Sequence, residues 1–395
     1  MNDLSAPSGK DYLQRARNIA PLIAEFSCAI ESTRRLTPQV VKALIDGGFY
    51  RMLQPRFLGG GELSLAAFCE IIEEIAKADA STAWCLAQCS TCAMAAAYLD
   101  RNTAVKLFGP PEGIVAWGPP APSEARMVPG GYRVTGTWNF ASGGHQARWL
   151  GGQSFVISAD GTRIYRPDGT PAIRMMLFPY EAAEISDVWD VIGLRGTGSD
   201  TYSVKDLFVP EQMSFARDEE VDRRENGLLF KFSTSNIYSF GFAAVALGIA
   251  RQMLDDTTRE ASEKTPSGSR RAMRDNNVVQ AHIGRSEAMW RAARTYLHVT
   301  ARDLWKAMAE NPELTTEQKI EIRMASTNAI HQSGAIVDAL YHMLGSTSVF
   351  RKRPFERRFR DMHTVMQQLQ GRESHYENIG QVLLGLDPDA LLFTT

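Results

Sequence analysis

The segment FERRFRDMHTVMQQLQGRESHYENIG, residues 355–380, crowds Arg357, Arg358, Arg360, Asp361 and His363 together and then runs into amides. Histidine is the side-chain type in this segment whose ordinary pKa lies near neutrality, which makes His363 the candidate proton carrier. Gln367, Gln368, Leu369 and Gln370 follow, and none of them exchanges a proton at neutral pH. Amides in place of a base suit a substrate that is already nucleophilic.

Other reactive side chains read as packing. Cys85, Cys89 and Cys92 recur at i, i+4 and i+7, one face of a helix, but no neighbouring His or Cys completes a ligand set, so no metal is expected. Free cysteine otherwise packs as a small apolar residue. Five cysteines, an odd number, behind an N-terminus without an apolar signal core fit a reducing, cytoplasmic setting. A net charge of −2 points to neither a nucleic-acid nor an anionic membrane partner. The basic run at 351–360 reads as a solvated face or a small-anion site. The most apolar stretch, 237–250, is broken by Ser239, Gly241 and Gly248 and is shorter than the roughly 20 residues of a membrane span, so a buried helix is expected. No Walker loop, G-x-G-x-x-G after a strand, H-E-x-x-H or G-x-S-x-G occurs.

These residues need a frame, and the hydrophobic pattern supplies an α+β one in three regions. Residues 1–113 read as an N-terminal helical domain. Leu13, Ala16, Ala20, Ile23 and Phe26 recur at helical spacing, Thr37-Pro38 opens a helix, and Gly47-Gly48 closes it. Residues 114–225 hold the strand signals. In VPGGYRVTGTWNF a Gly-Gly turn precedes alternating Tyr132, Val134 and Trp138, so a central antiparallel β-barrel or sandwich is expected. Residues 226–395 return to the helical period. One stripe is Ile283, Trp290, Ala293, Leu297, Ala301, Leu304 and Met308; another is Ile322, Ala325, Ala329, Ile336, Leu340 and Leu344. Together they predict a C-terminal four-helix bundle.

Four strings in order span nearly the whole chain: LIDGGFYRMLQPRFLGG (44–60), GGYRVTGTWNFASG (130–143), VIGLRGTGSDTYSVKDLFVP (191–210) and RPFERRFRDMHT (353–364). They resemble the acyl-CoA dehydrogenase superfamily. The second and third are most similar to its two-component flavin-dependent monooxygenase branch. The resemblance implies an acyl-CoA dehydrogenase-like fold, reduced FAD (FMN as the alternative), O2 and a small aromatic substrate. It also implies a separate NAD(P)H–flavin reductase and a homotetramer. It places Trp138, Phe140 and Ser142 alongside the flavin, with Ser142 at N5 acting catalytically together with His363. Arg195 and Thr197 would line the same crevice, and Gly345, Ser346 and Ser348 another edge of the cofactor. Arg270 would reach its phosphates from a neighbouring subunit. Oxygen would add to the reduced flavin as a C4a-hydroperoxide before transfer.

Within that resemblance the dehydrogenases' catalytic glutamate corresponds to Leu369 or Gln370, and a phenol-hydroxylase histidine to the Gln367-Gln368 stretch. Neither departure leaves a base. Indole-type oxygenases occur in that branch, and an indole is nucleophilic without losing a proton because its nitrogen lone pair feeds C3 as in an enamine, so the resemblance implies an oxygenase acting on indole or an indole derivative. An acyl-CoA dehydrogenase with a displaced base is the alternative, and a flavin-free binding scaffold a third reading. The absence of a nicotinamide fingerprint is what calls for a separate reductase.

Overall fold

The computed structural model describes residues 7–389. Five helices come first: α1 (Gly9–Thr33), α2 (Pro38–Asp46), α3 (Leu65–Ala78), α4 (Ala80–Cys92) and α5 (Arg101–Phe108). Ser8 starts α1 through a reciprocal capping box with Asp11, satisfying amides that the helix itself cannot. Asp79 starts α4, its carboxylate accepting the Thr82 N–H at 2.7 Å. Gly48, at φ 72°, takes the left-handed conformation just past the end of α2.

The strands are β1 (Val115–Trp117), β2 (Ser123–Val128), β3 (Gly131–Trp138), β4 (Trp149–Ile157), β5 (Ile173–Pro179), β6 (Glu184–Ser186), β7 (Thr201–Pro210) and β8 (Ser214–Phe215). They form one curled sheet in the order β6-β7-β3-β2-β4-β5-β8, with β1 beside β4. Most pairings are antiparallel, but β1 and β2 both run parallel to β4, so the sheet is mixed rather than purely antiparallel. Alternation reports which side chains face inward; it carries no information on strand direction, and the β3 excursion gives the chain room to return parallel.

The inside of the curl is aromatic. The Trp138 ring lies 5.4 Å from Tyr202 and 5.9 Å from Phe178, and its Nε1 donates to the Gln153 carbonyl at 3.2 Å. Gly152 leaves the room it needs: a Cβ there would sit 2.4 Å from the indole.

The C-terminal region holds α6 (Thr234–Glu263), α7 (Asn277–Glu310), α8 (Thr316–Leu344), α9 (Phe355–Met366) and α10 (Ser374–Leu383). Three long helices and the short α9 make the four-helix bundle, with α10 laid against α8. The expected stripes face its core, except that Ile283 and Trp290 are only half-buried. By length and composition α6 could cross a membrane. In this fold 83% of its most apolar window is buried, as a core helix packed on α3, α4 and α8.

Of the basic run, Arg351, Lys352 and Arg353 are exposed, whereas the half-buried arginines of α9 tie the regions together. Arg357 donates to Ser27 Oγ of α1 at 3.0 Å, and Arg358 pairs with Asp256 of α6 at 2.7 Å. Arg360 pairs with Glu31 of α1 at 2.7 Å and donates to the Ile192 carbonyl of the β region. Asp361 accepts the Leu194 N–H at 2.6 Å.

Burial pushes the Asp361 carboxyl up to about 7; the Leu194 N–H opposes this, Asp79 and Glu31 add to it, and Arg357 opposes it. Its folded pKa lies above the ordinary 3.8, so between those values the fold holds a proton that the unfolded chain has released. Stability is therefore lost as pH rises through that window. Asp361→Asn keeps an acceptor for Leu194 and has no charge to bury. Melting curves from about pH 5 to about pH 8 should show the native protein losing Tm relative to this variant. Parallel curves would mean that Asp361 is ionised throughout.

Candidate active site

Ser142 sits where the β region meets α4. Trp84 Nε1 of α4 donates to Ser142 Oγ at 3.1 Å, Ser142 Oγ lies 2.6 Å from Ser199 Oγ, and Ser199 Oγ lies 2.7 Å from Thr197 Oγ1. Thr197 Oγ1 in turn donates to the Leu194 carbonyl at 2.9 Å. An indole N–H can only donate and a carbonyl can only accept, so one ordering of protons completes every bond. It runs Trp84 to Ser142 to Ser199 to Thr197 to Leu194. Ser142 thus spends its proton on Ser199 and keeps one acceptor lone pair open.

Phe140 stands beside this relay at φ 62° with 55% of its surface exposed. Holding an L-residue there costs about 1–2 kcal/mol, which the surrounding contacts must offset. Its ring meets Trp189 edge-on at 6.1 Å. Asp200 fixes both sides of this pair. Its carboxylate accepts the Val188 and Trp189 N–H groups at 2.9 and 3.0 Å, and its carbonyl accepts the Ala141 N–H at 3.0 Å. The other carboxylate oxygen lies 2.8 Å from His145 Nε2. The arrangement offers an exposed aromatic face, a buried hydroxyl acceptor beside it, and no carboxylate turned toward either.

Behind Ser142, α4 supplies packing. Cys85 and Cys89 point at the Thr197 and Ser142 carbonyls at 3.7 and 3.9 Å, and burial pushes the Cys85 thiol up to about 12. These thiols act as small core residues.

The remaining expected site residues divide. Thr197 belongs to the relay. Trp138 does not line the crevice: it is fully buried in the curl of the sheet, because inward alternation along β3 points it away from Phe140. Arg195 donates to the Val191 carbonyl at 2.7 Å and lies 3.2 Å from Asp190, bracing its own turn rather than the crevice. His363 is also corrected. Two residues along a helix are about 200° apart, so with Asp361 turned toward Leu194, His363 faces the opposite side. There it meets Asp338 at 2.9 Å and the Phe359 ring at 4.3 Å. Lys264 bonds the Leu344 carbonyl at 3.2 Å and Thr347 Oγ1, and its carbonyl accepts the Met273 N–H. It thereby brings the exposed Arg270 segment beside the turn of Gly345, Ser346 and Ser348.

Residues 15–103 match the acyl-CoA dehydrogenase N-terminal domain and residues 240–370 its C-terminal domain, together more than half of the chain. The chain belongs to the acyl-CoA dehydrogenase superfamily. Indole-3-acetate monooxygenase of Pseudomonas putida is 28% identical over 385 residues, covering 97% of this chain and 95% of that protein. The flavin-dependent monooxygenase oxygenase subunit HsaA of Mycobacterium tuberculosis is 28% identical, with 92% of each chain covered. A crystal structure of HsaA superimposes with a TM-score of 0.87 at 26% identity, over 98% of this chain and 100% of that one. The oxygenase component of p-hydroxyphenylacetate 3-hydroxylase of Acinetobacter baumannii is 26% identical over 97% of this chain and 91% of that protein.

At the superfamily's base position the inward residue is Gln370, which is buried and accepts from Ser239 Oγ at 2.9 Å and from Arg323. Leu369 is half-buried and Glu373 exposed. Sequence reading missed Trp84, Ser199, Asp200 and Arg323 as site residues. Ser199 and Asp200 lay within a string already singled out. Trp84 sat in a run that reads as uniformly apolar. Arg323 left one sign, a charge at the core-facing spacing Ile320, Arg323, Thr327, Ile330.

The two aromatic neighbours should separate cleanly. Trp138→Ala should cost roughly 3–5 kcal/mol in urea unfolding, as for other large buried aromatics. Phe140→Ala should stay within about 0.5 kcal/mol of the native protein. Equal losses would mean that Phe140 is packed rather than presented.

Proposed function

We propose that this chain is the oxygenase component of a two-component flavin monooxygenase acting on an aromatic or heteroaromatic molecule, with an indole derivative favoured. The observation that carries this reading is the open acceptor on Ser142. A reduced flavin, when bound, supplies the electrons that activate O2, and its N5 bears a proton that the oxidised ring lacks. Ser142 can accept that N–H with its relay intact; an oxidised N5, itself an acceptor, would require the hydroxyl protons to be reordered. Phe140 and Trp189 provide the aromatic wall that keeps water from such a ring. Gln370 in place of a carboxylate removes the base that dehydrogenation needs, which weighs against the acyl-CoA dehydrogenase alternative. It suits a ring that reacts without first losing a proton. The names of the relatives support the same reaction class.

The reading includes FAD or FMN as the flavin, a separate NAD(P)H–flavin reductase and a cytoplasmic homotetramer. In that assembly Arg270 would meet the cofactor of a neighbouring copy, and the Gly345 turn would lie near a flavin.

With NADH, flavin and an indole substrate, product should appear only after a flavin reductase is added. Coupled product formation without one would overturn the two-component reading. Ser142→Ala should weaken reduced-flavin binding by roughly three- to tenfold, the worth of one hydrogen bond, and leave oxidised-flavin binding unchanged. Anaerobic titration measures both, and an equal change in the two removes Ser142 from this role.

A further inference from the structure

We infer that Arg323 is the anchor for a carboxylate on the substrate, which makes the substrate an aromatic acid with a short side chain; this rests on the oxygenase reading above. Arg323 is 4% exposed, in the first third of α8. Three half-buried arginines of the bundle face carboxylates: Arg358 meets Asp256 at 2.7 Å, Arg294 meets Glu73 at 2.8 Å, and Arg251 meets Glu287 at 2.7 Å. Arg323 faces none among the described residues. Its Nη1 bonds Ser239 Oγ at 3.1 Å and the Gln370 amide oxygen, and its Nη2 bonds Ser235 Oγ at 3.1 Å.

A buried guanidinium without a counter-charge is expensive, and neutral oxygens repay only part of that cost. Burial pulls Arg323 down to about 10, which still leaves it a cation at neutral pH. The positive field extends beyond it, since Arg323, Arg372 and His331 join burial in holding His375 below its ordinary value. What surrounds the cation is an oxyanion-binding set: a planar fork that matches a carboxylate, and two serine hydroxyls one helical turn apart on α6.

The position of this set relative to Ser142 names the rest of the ligand. Ser235 and Tyr238 are half-buried and Ser239 is fully buried, so the face that carries the serines is partly exposed only at its Ser235 end. Tyr238 stacks 5.5 Å from Phe242, Phe242 stacks 3.9 Å from Trp84, and Trp84 bonds Ser142. Arg323 and Ser142 thus stand at opposite ends of one row of aromatic rings. A flat ring lying along that row, with a carboxylate on a short arm, would put its acid on Arg323 and its ring toward the flavin that Ser142 would hold. The carboxylate would take over the oxygen position that Gln370 fills on Arg323. Two relatives are named for arylacetates, indole-3-acetate and p-hydroxyphenylacetate, and they share this chemistry.

Indole-3-acetate and indole-3-acetamide are matched probes, alike in size and different in charge. With full-length protein and a supplied reductase, the native enzyme should prefer the acid. Arg323→Met should weaken the acid by roughly tenfold to a hundredfold, the worth of charge-assisted bonds, and the amide, which offers only a neutral acceptor, by roughly tenfold less than the acid. Arg323→Lys keeps the charge and loses the fork, so it should retain the preference at reduced affinity; it also serves if the methionine variant does not fold. Thermal shift without flavin gives a second readout, in which indole-3-acetate, phenylacetate or 4-hydroxyphenylacetate raises Tm in the native protein and not in Arg323→Met. Equal losses for acid and amide overturn the anchor and leave the oxygenase reading standing. No shift by any of the three acids also overturns it. An acid-specific shift lost in Arg323→Met, with no oxygenation of any probe, upholds the anchor and overturns the oxygenase reading instead.

Discussion

The bond from the Leu194 N–H to the buried Asp361 carboxylate holds the molecule's parts in working relation. It reaches from the C-terminal bundle into the turn where Leu194 and Gly198 both adopt left-handed backbone at φ 50°. Between those two residues lies Thr197, the last hydroxyl of the relay to Ser142. Gly196 must stay a glycine for this turn to seat, since a Cβ there would come within 2.1 Å of Ile30. The arginines flanking Asp361 pair with α1 and α6, so one short helix sets the spacing of three regions. A buried acid with a raised pKa is the energetic consequence.

Charge is used in two ways across this interior. Where ion pairs are complete, as at Arg358 and Asp256, they fix the relative placement of elements at little net gain. Where a polar group is left incomplete, the gap has a direction. Ser142 keeps a second acceptor lone pair open, and Arg323 is a cation with no carboxylate beside it among the described residues. Trp84 of α4 borders the first gap and Ser235 and Ser239 of α6 the second. An unfilled bond inside an otherwise satisfied core is the physical form of a binding preference.

The acyl-CoA dehydrogenase frame therefore does not decide the reaction by itself. A carboxylate at residue 370 would lie beside Arg323 and be held ionised as its ion-pair partner. The amide there leaves the cation available to a ligand. One side chain thus bears on both proton abstraction and recognition.

Local chemistry was legible from the residues in order. Helical periods, the Gly47-Gly48 stop and the alternation of β3 depend on neighbours within a few positions, and the chain states them directly. The departures at 367–370 and the expectations for Ser142 and Phe140 came from similarity to a known family. Direction and partnership were not legible, because they depend on groups far apart in the chain. Alternation could not tell that β2 runs parallel to β4, or that Trp138 turns into the sheet while Phe140 turns out. Adjacency could not tell that His363 and Asp361 face opposite sides of α9. Above all, the proton order of the Ser142 relay needs Trp84, from 58 residues earlier, and the lack of a carboxylate at Arg323 among the described residues depends on where folding places acids distant in the chain.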